Sequence, residues 1–359
     1  MKKNRRHWIW LGLSTLILAL IFYNLRHSPE WRHFDWRRLW ASLVSARPEL
    51  VLLALVGVYA TYLIRALRWG FLMHPIKKGS LWVLFVGQML GFSSIYLVGR
   101  PGEFVRPAYI AKKESLPITS MVAVWLMERI CDTICLVVLF AVVLYLAPVG
   151  MSTAGNHVLS VMHKAGDVML GVTAAMVAGL AIYRLRTQPM MDWVMRRVSF
   201  LPESVQRHVH HFLGSFAEGL LVVKSMPDFM GSVVLTVVLW LTNATVFWLT
   251  LRSLGGTLGD FGWLASTLVL FCASLGLVVQ FPGIGGGYQV GVVLALTEIF
   301  GVAADVSTGA SILLWLMMSV PVLLVSLGLV VHEGISFKRL GAITQEEETE
   351  RETAVKEAK

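Results

Sequence analysis

Two stretches of hydrocarbon-grade sequence are broken by glycine and proline, and these breaks constrain the chain more than anything else in it. Leu81 to Val98 is apolar and runs into Val98-Gly-Arg-Pro-Gly-Glu-Phe-Val-Arg-Pro107. Trp263 to Gln280 runs into Phe281-Pro-Gly-Ile-Gly-Gly-Gly-Tyr288. Lipid offers no partner to backbone N–H and C=O groups, so irregular backbone at that depth must be buried in protein or line a wet cavity. Gly/Pro interruptions in corresponding places of two halves point to a transport site.

The rest of the chain fits a membrane setting. Of 359 residues, 56% are hydrophobic and 15% charged, and the net charge of +9 sits in clusters between apolar runs. That pattern suits membrane orientation and anionic headgroups, and it argues against nucleic acid as partner. Runs above roughly 18 apolar residues mark spanning helices. Spans are expected at Trp8 to Leu25, Glu49 to Leu72, Ile118 to Leu146, Val168 to Tyr183, Phe229 to Leu251 and Ser307 to Val331. The first is read as uncleaved, since Asn24-Leu-Arg-His lacks small cleavage-site residues. Arg26 to Arg47, with Trp36, Leu39, Trp40, Leu43 and Val44 at helical spacing, reads as an interfacial helix. The expected fold class is all-α polytopic: about six full spans plus two re-entrant segments, compatible with an inverted repeat. The membrane domain covers 1–337, and the charged tail 338–359 reads as disordered and cytosolic.

Lys and Arg set the orientation. Lys2, Lys3, Arg5 and Arg6 place the N-terminus inside; Arg65, Arg68, Lys77 and Lys78 follow on the same side. Arg100, Arg106, Lys112 and Lys113 also belong inside, so Leu81 to Ala111 enters from the cytoplasm and returns. Residues 253–262 and 301–307 hold no Lys or Arg, so the second break enters from outside. Lys338 and Arg339 keep the C-terminus cytosolic. The loop Arg26 to Arg47 runs against this scheme, because it holds five Arg yet falls outside. The alternative makes Leu81 to Val98 and Trp263 to Gln280 full spans.

The charged residues inside apolar sequence are the candidate site. Glu128-Arg-Ile-Cys-Asp132 lies deep in one helix, with Glu128 and Asp132 on one face and Arg129 beside them. Such charges cost several kcal/mol and imply a pathway, or else an internal ion pair that locks helices together. Arg100, Arg106 or Arg65 is the expected partner. Arg65 and Arg68 suit phosphate through their planar forks; the competing reading is snorkelling, for which Arg68 beside Trp69 is the better candidate. Gly283, Gly285, Gly286 and Gly287 resemble a backbone nest opening onto a half-helix, where N–H groups could hold a phosphate oxygen. Close helix packing is the alternative. His208, His210 and His211 lack companions at ligand spacing, so no metal or other cofactor is expected. Cys131, Cys135 and Cys272 read as packing residues.

Arg65-Ala-Leu-Arg-Trp69, Gly99-Arg-Pro-Gly-Glu-Phe-Val-Arg106, Glu128-Arg-Ile-Cys-Asp132 and Pro282-Gly-Ile-Gly-Gly-Gly-Tyr-Gln289 together resemble the lysylphosphatidylglycerol synthase transmembrane-region family, also called flippase-like proteins. The resemblance runs from Trp8 to Glu333. It implies an integral domain that translocates lipids across the cytoplasmic (inner) membrane: aminoacylated phosphatidylglycerol in bifunctional members, polyprenyl-linked glycans or hopanoids in relatives. Synthase activity is not expected, because only a short tail follows the last span. The family commonly carries Glu after the glycines, where this chain has Tyr288-Gln289, which implies a different substrate.

The expected function is therefore transport of a phosphate-bearing lipid, phospholipid or polyprenyl-linked. The substrate-binding candidates are Arg65, Arg68, Arg100, Glu103, Arg106, Glu128, Arg129, Asp132, Pro282, Gly283, Gly285, Gly286, Gly287, Tyr288 and Gln289, with no catalytic residue assigned. Two alternatives stand beside it: a membrane-embedded lipid-modifying transferase using Glu103 or Asp132, and a non-transporting partner of a separate lipid synthase. The oligomeric state is left open.

Overall fold

The computed structural model describes residues 35–146, 164, 166–171, 173–175, 177–179, 196–197, 225–277, 280–281 and 285–332. The expected first span, the histidine stretch and the tail lie outside the described residues. In chain order the helices are α1 (Trp36–Val44), α2 (Pro48–Met73), α3 (Leu81–Val98), α4 (Val105–Glu114), α5 (Ile118–Leu146), α6 (Met226–Ser253), α7 (Trp263–Gly276), α8 (Gly287–Leu294) and α9 (Ala304–His332). A 3-10 turn, Arg100–Phe104, joins α3 to α4, and a π-helical turn, Ala295–Ile299, extends α8.

Three of these helices, α2, α6 and α9, are long and apolar enough to cross a membrane. Their outer faces are apolar and exposed, as at Val56 and Leu63 on α2 and Leu324 and Leu327 on α9. A helix hydrophobic on every face belongs in lipid, so this is an integral membrane protein. Helix α5 is 29 residues long, but Glu128, Arg129 and Asp132 interrupt its apolar sequence. The expected span Val168 to Tyr183 is helical where described, within Gly166–Gly179.

The chain forms two compact units, 1–54 with 146–162 and 244–317, and 55–145 with 163–243 and 318–359. Each unit holds one of the two breaks, and each break is a helical hairpin.

In the second-named unit, α4 folds back along α3. A Cβ on Gly91 would lie 2.6 Å from Arg106 Cβ, one on Gly87 would lie 2.8 Å from Ile110, and one on Gly102 would strike the Ser94 carbonyl. Glycine at these three positions lets the arms touch. Gly99, at φ +84°, makes the turn that an L side chain would strain. The hairpin base is tied by Glu114, which accepts from the Ser80 N–H at 2.9 Å and pairs with Lys77 at 3.0 Å. That places a carboxylate at the N-terminus of α3, where the helix dipole favours it. The ten residues of α4 reach only ~15 Å, half the ~30 Å hydrocarbon core.

In the other unit, α7 and α8 form the second hairpin. A Cβ on Gly276 would strike the Gly287 carbonyl, and one on Gly291 the Cys272 carbonyl. Phe261 and Phe300 stack edge-on at 4.8 Å across its base. Its tip differs from the sequence expectation. Helix α7 stops at Gly276, and Gln280–Phe281 pairs antiparallel with Gly285–Gly286. Gly286, at φ +83°, then turns the chain into α8. Gln280 therefore belongs to a strand rather than to the apolar helix, while Gly287 and Tyr288 lie inside α8 rather than in the break. Among the described residues this two-residue ladder is the one departure from an all-helical fold.

Candidate functional site

The charged residues that the sequence singled out on α2, α4 and α5 converge in one unit. Arg68 is the hub. It is fully buried, and its guanidinium pairs with Glu128 and with Asp132, the latter at 2.5 Å through Nη1 and 3.2 Å through Nη2. Its Nη1 also reaches Thr236 Oγ1 at 3.2 Å. Arg106 approaches Glu128 from the first hairpin, with Nη2 at 2.7 Å from Oε2. It also donates to Gln88 Oε1 at 2.6 Å, linking the two arms. Trp69 donates its indole N–H to Glu128 Oε2 at 2.8 Å, and its ring lies 4.9 Å from the Arg106 guanidinium. Glu128 thus receives two arginines and an indole. In a dry interior a carboxylate requires that many partners to stay charged.

The snorkelling reading of Arg68 is corrected. Arg68 and Trp69 are both 0% exposed, so neither serves as an interfacial anchor. With α5 packed alongside, the inward face of α2 meets two carboxylates, and pairing with them outweighs a reach toward the headgroups. Of the partners expected for the acidic pair, Arg106 takes that role. Arg65 instead lies 4.6 Å over the Phe92 ring, which it shares with Arg106 at 5.5 Å. The Arg100 side chain lies outside the described residues. Glu103 is buried on the 3-10 turn of the same hairpin.

Arg129 occupies a different position. Its side chain is 35% exposed, and its Nη2 lies 3.2 Å from Glu128 and 3.3 Å from Asp132. Those are ion-pair distances, but neither Nε nor Nη2 is aligned for a hydrogen bond among the described residues. Three guanidiniums, those of Arg68, Arg106 and Arg129, thus stand within ion-pair range of the two carboxylates Glu128 and Asp132.

Sequence reasoning missed Trp69, Gln88 and Thr236. A signal existed for two of them: Trp69 adjoins Arg68, and Gln88 is the lone amide between Leu81 and Val98. Thr236 carried none.

The second break belongs to the other unit. There Gly285 and Gly286 sit in the ladder, Gly287 opens α8, and the buried Tyr288 ring meets Phe247 edge-on at 6.1 Å. Gln289 is half-buried in the first turn of α8. Pro282 and Gly283 lie outside the described residues. Among the described residues no cluster of His, Cys, Asp and Glu could hold a metal ion.

Comparison with known families matches residues 8–326 to the family described as lysylphosphatidylglycerol synthase TM region. No curated protein matches the chain.

Proposed function

The chain belongs to the lysylphosphatidylglycerol synthase TM region family, whose members are membrane proteins related to lipid handling, and on that premise we propose that it transports a phosphate-bearing lipid across the cytoplasmic membrane, with both termini cytosolic. The observation that carries this reading is the surplus of arginine at the buried cluster. Arg68 and Arg106 are consumed by Glu128 and Asp132. Arg129 is in ion-pair range of the same carboxylates, its side chain is 35% exposed, and its Nε and Nη2 are buried without a hydrogen bond among the described residues. A lipid phosphate supplies acceptors suited to a guanidinium fork. The arm α4, at ten residues too short to span, supports a re-entrant segment from which Arg106 reaches the cluster.

A transferase reading needs a carboxylate free to move a proton. Asp132 is held by Arg68, which favours transport over chemistry. The test is purified protein in liposomes with headgroup-labelled phospholipid or polyprenyl phosphate. Movement of label between leaflets, absent from protein-free vesicles, is the expected result. No movement for any anionic lipid, together with turnover of a lipid donor, would replace transport by the enzymatic reading.

A further inference from the structure

The base of the first hairpin carries an excess of lysine. Lys77 and Lys78 lie in the connection between α2 and α3, and Lys112 and Lys113 in the last turn of α4; all four are exposed. Glu114 joins them into one surface, since the Lys77 ammonium donates to its carbonyl at 2.6 Å and pairs with its carboxylate at 3.0 Å. On the α2 side, Asp228 accepts from Ser225 Oγ and lies 3.0 Å from His74 Nδ1. Both carboxylates are thus engaged, and Lys78 and Lys112 have no ion-pair partner among the described residues.

Helix α9 delivers the chain to the same end of this unit. Arg65 stands over Phe92, and a Cβ on Gly70 would lie 3.8 Å from Leu84, so α2 runs antiparallel to α3 and toward the base. Helix α9 follows α2 in that direction: the Tyr59 hydroxyl donates to the Pro321 carbonyl at 3.4 Å, and Ser326 Oγ to the Met89 carbonyl at 2.9 Å. From the level of Met89, His332 lies ~9 Å onward along α9 and Leu81 ~12 Å back along α3. Past His332 the sequence sets Glu346, Glu347, Glu348, Glu350 and Glu352 against Arg351 alone. Glu346 follows His332 by 14 residues, a length that reaches up to ~50 Å and so covers two touching arms.

We propose that the acidic run 346–352 docks on the lysine surface at the base of the first hairpin of its own chain and restrains that hairpin. Anionic headgroups are the competing partner for these lysines, but they repel an acidic segment. The run is also tethered within reach of the lysines, which makes its encounter with them intramolecular. The contact joins exposed charges, so salt screens it. The hairpin carries Arg106 to the buried cluster, so a restraint at its base slows transport; that consequence alone rests on the transport reading.

The experiment places single copies of the full chain in nanodiscs of phosphatidylcholine, with and without phosphatidylglycerol. A zero-length carbodiimide joins touching lysines and carboxylates, and the linked peptides are mapped by mass spectrometry. The expected result is a link from Lys78 or Lys112 to 346–352 in both lipids, falling several-fold at about 0.5 M salt. In the double variant Lys78→Gln, Lys112→Gln, links from Lys77 and Lys113 to the run should fall several-fold as well. Absence of these links, or a yield indifferent to salt, would overturn the docking. Links lost when phosphatidylglycerol is added would give the lysines to headgroups and overturn it too. With Gln in place of Glu at 346, 347, 348, 350 and 352, transport should rise several-fold at low salt and match wild type at high salt. Equal rates at low salt would overturn the restraint. Absence of transport by both proteins with the links intact would count against the transport reading and not against the docking.

Discussion

Arg68 and Arg129 carry the same charge but differ in what their loss exposes. Removing Arg68 leaves Glu128 and Asp132 buried with a deficit of partners, and breaking such a pair costs roughly 3–5 kcal/mol. Arg68→Ala should therefore extract from the membrane as aggregate, read as lost monodisperse yield in gel filtration. A yield equal to wild type would mean that the cluster is wet. Arg129 is half-buried, and its loss leaves Glu128 and Asp132 paired with Arg106 and Arg68, which predicts normal yield for Arg129→Ala. The sequence showed that charges at 128, 129 and 132 needed partners, because nothing apolar nearby could compensate them. It did not show which arginine would serve. That choice depends on which face of α2 turns toward α5, and a run apolar on every side carries no periodicity to reveal it.

At the scale of elements, the two hairpins depend on glycines at the contacts between their arms. A methyl group at Gly102 or Gly276 would meet backbone rather than a movable side chain. Gly102→Ala and Gly276→Ala should each lower the melting temperature in detergent, whereas Gly328→Ala, with open space around it on α9, should be neutral or slightly stabilising. Equal effects at all three would mean that close approach does not select glycine at these contacts. The base of the first hairpin adds a pH dependence. The Ser80 N–H, then Lys77, hold the Glu114 carboxyl below its ordinary range. A depressed folded value gives stability that is fully present above the unfolded value of about 4.3 and is lost as pH falls through the folded one. Glu114→Gln should therefore flatten the decline in melting temperature below about pH 4, and an unchanged decline would remove Glu114 as its source. Both breaks were legible in the sequence, since glycine and proline inside an apolar run interrupt the helix that lipid would otherwise impose. The ladder at 280–286 was not, because two-residue strands leave no alternation to read.

For the molecule as a whole, the proposed topology gives each hairpin its own side of the membrane. In a background without Cys131, Cys135 and Cys272, Lys113→Cys should react with an impermeant thiol reagent only from the cytoplasm, and Ala303→Cys only from outside; reaction of both from one face would contradict the inverted arrangement. Family membership, apolar spanning helices and a buried cluster with surplus arginine all bear on one claim, that Arg129 meets the phosphate of a transported lipid. The most direct measurement is leaflet-to-leaflet movement of labelled phosphatidylglycerol in liposomes holding equal amounts of monodisperse wild type, Arg129→Ala and Arg129→Lys. If Arg129 holds the phosphate, Arg129→Ala is folded and inactive and Arg129→Lys recovers only part of the rate, because an ammonium lacks the planar fork. Wild-type transport by Arg129→Ala would contradict it.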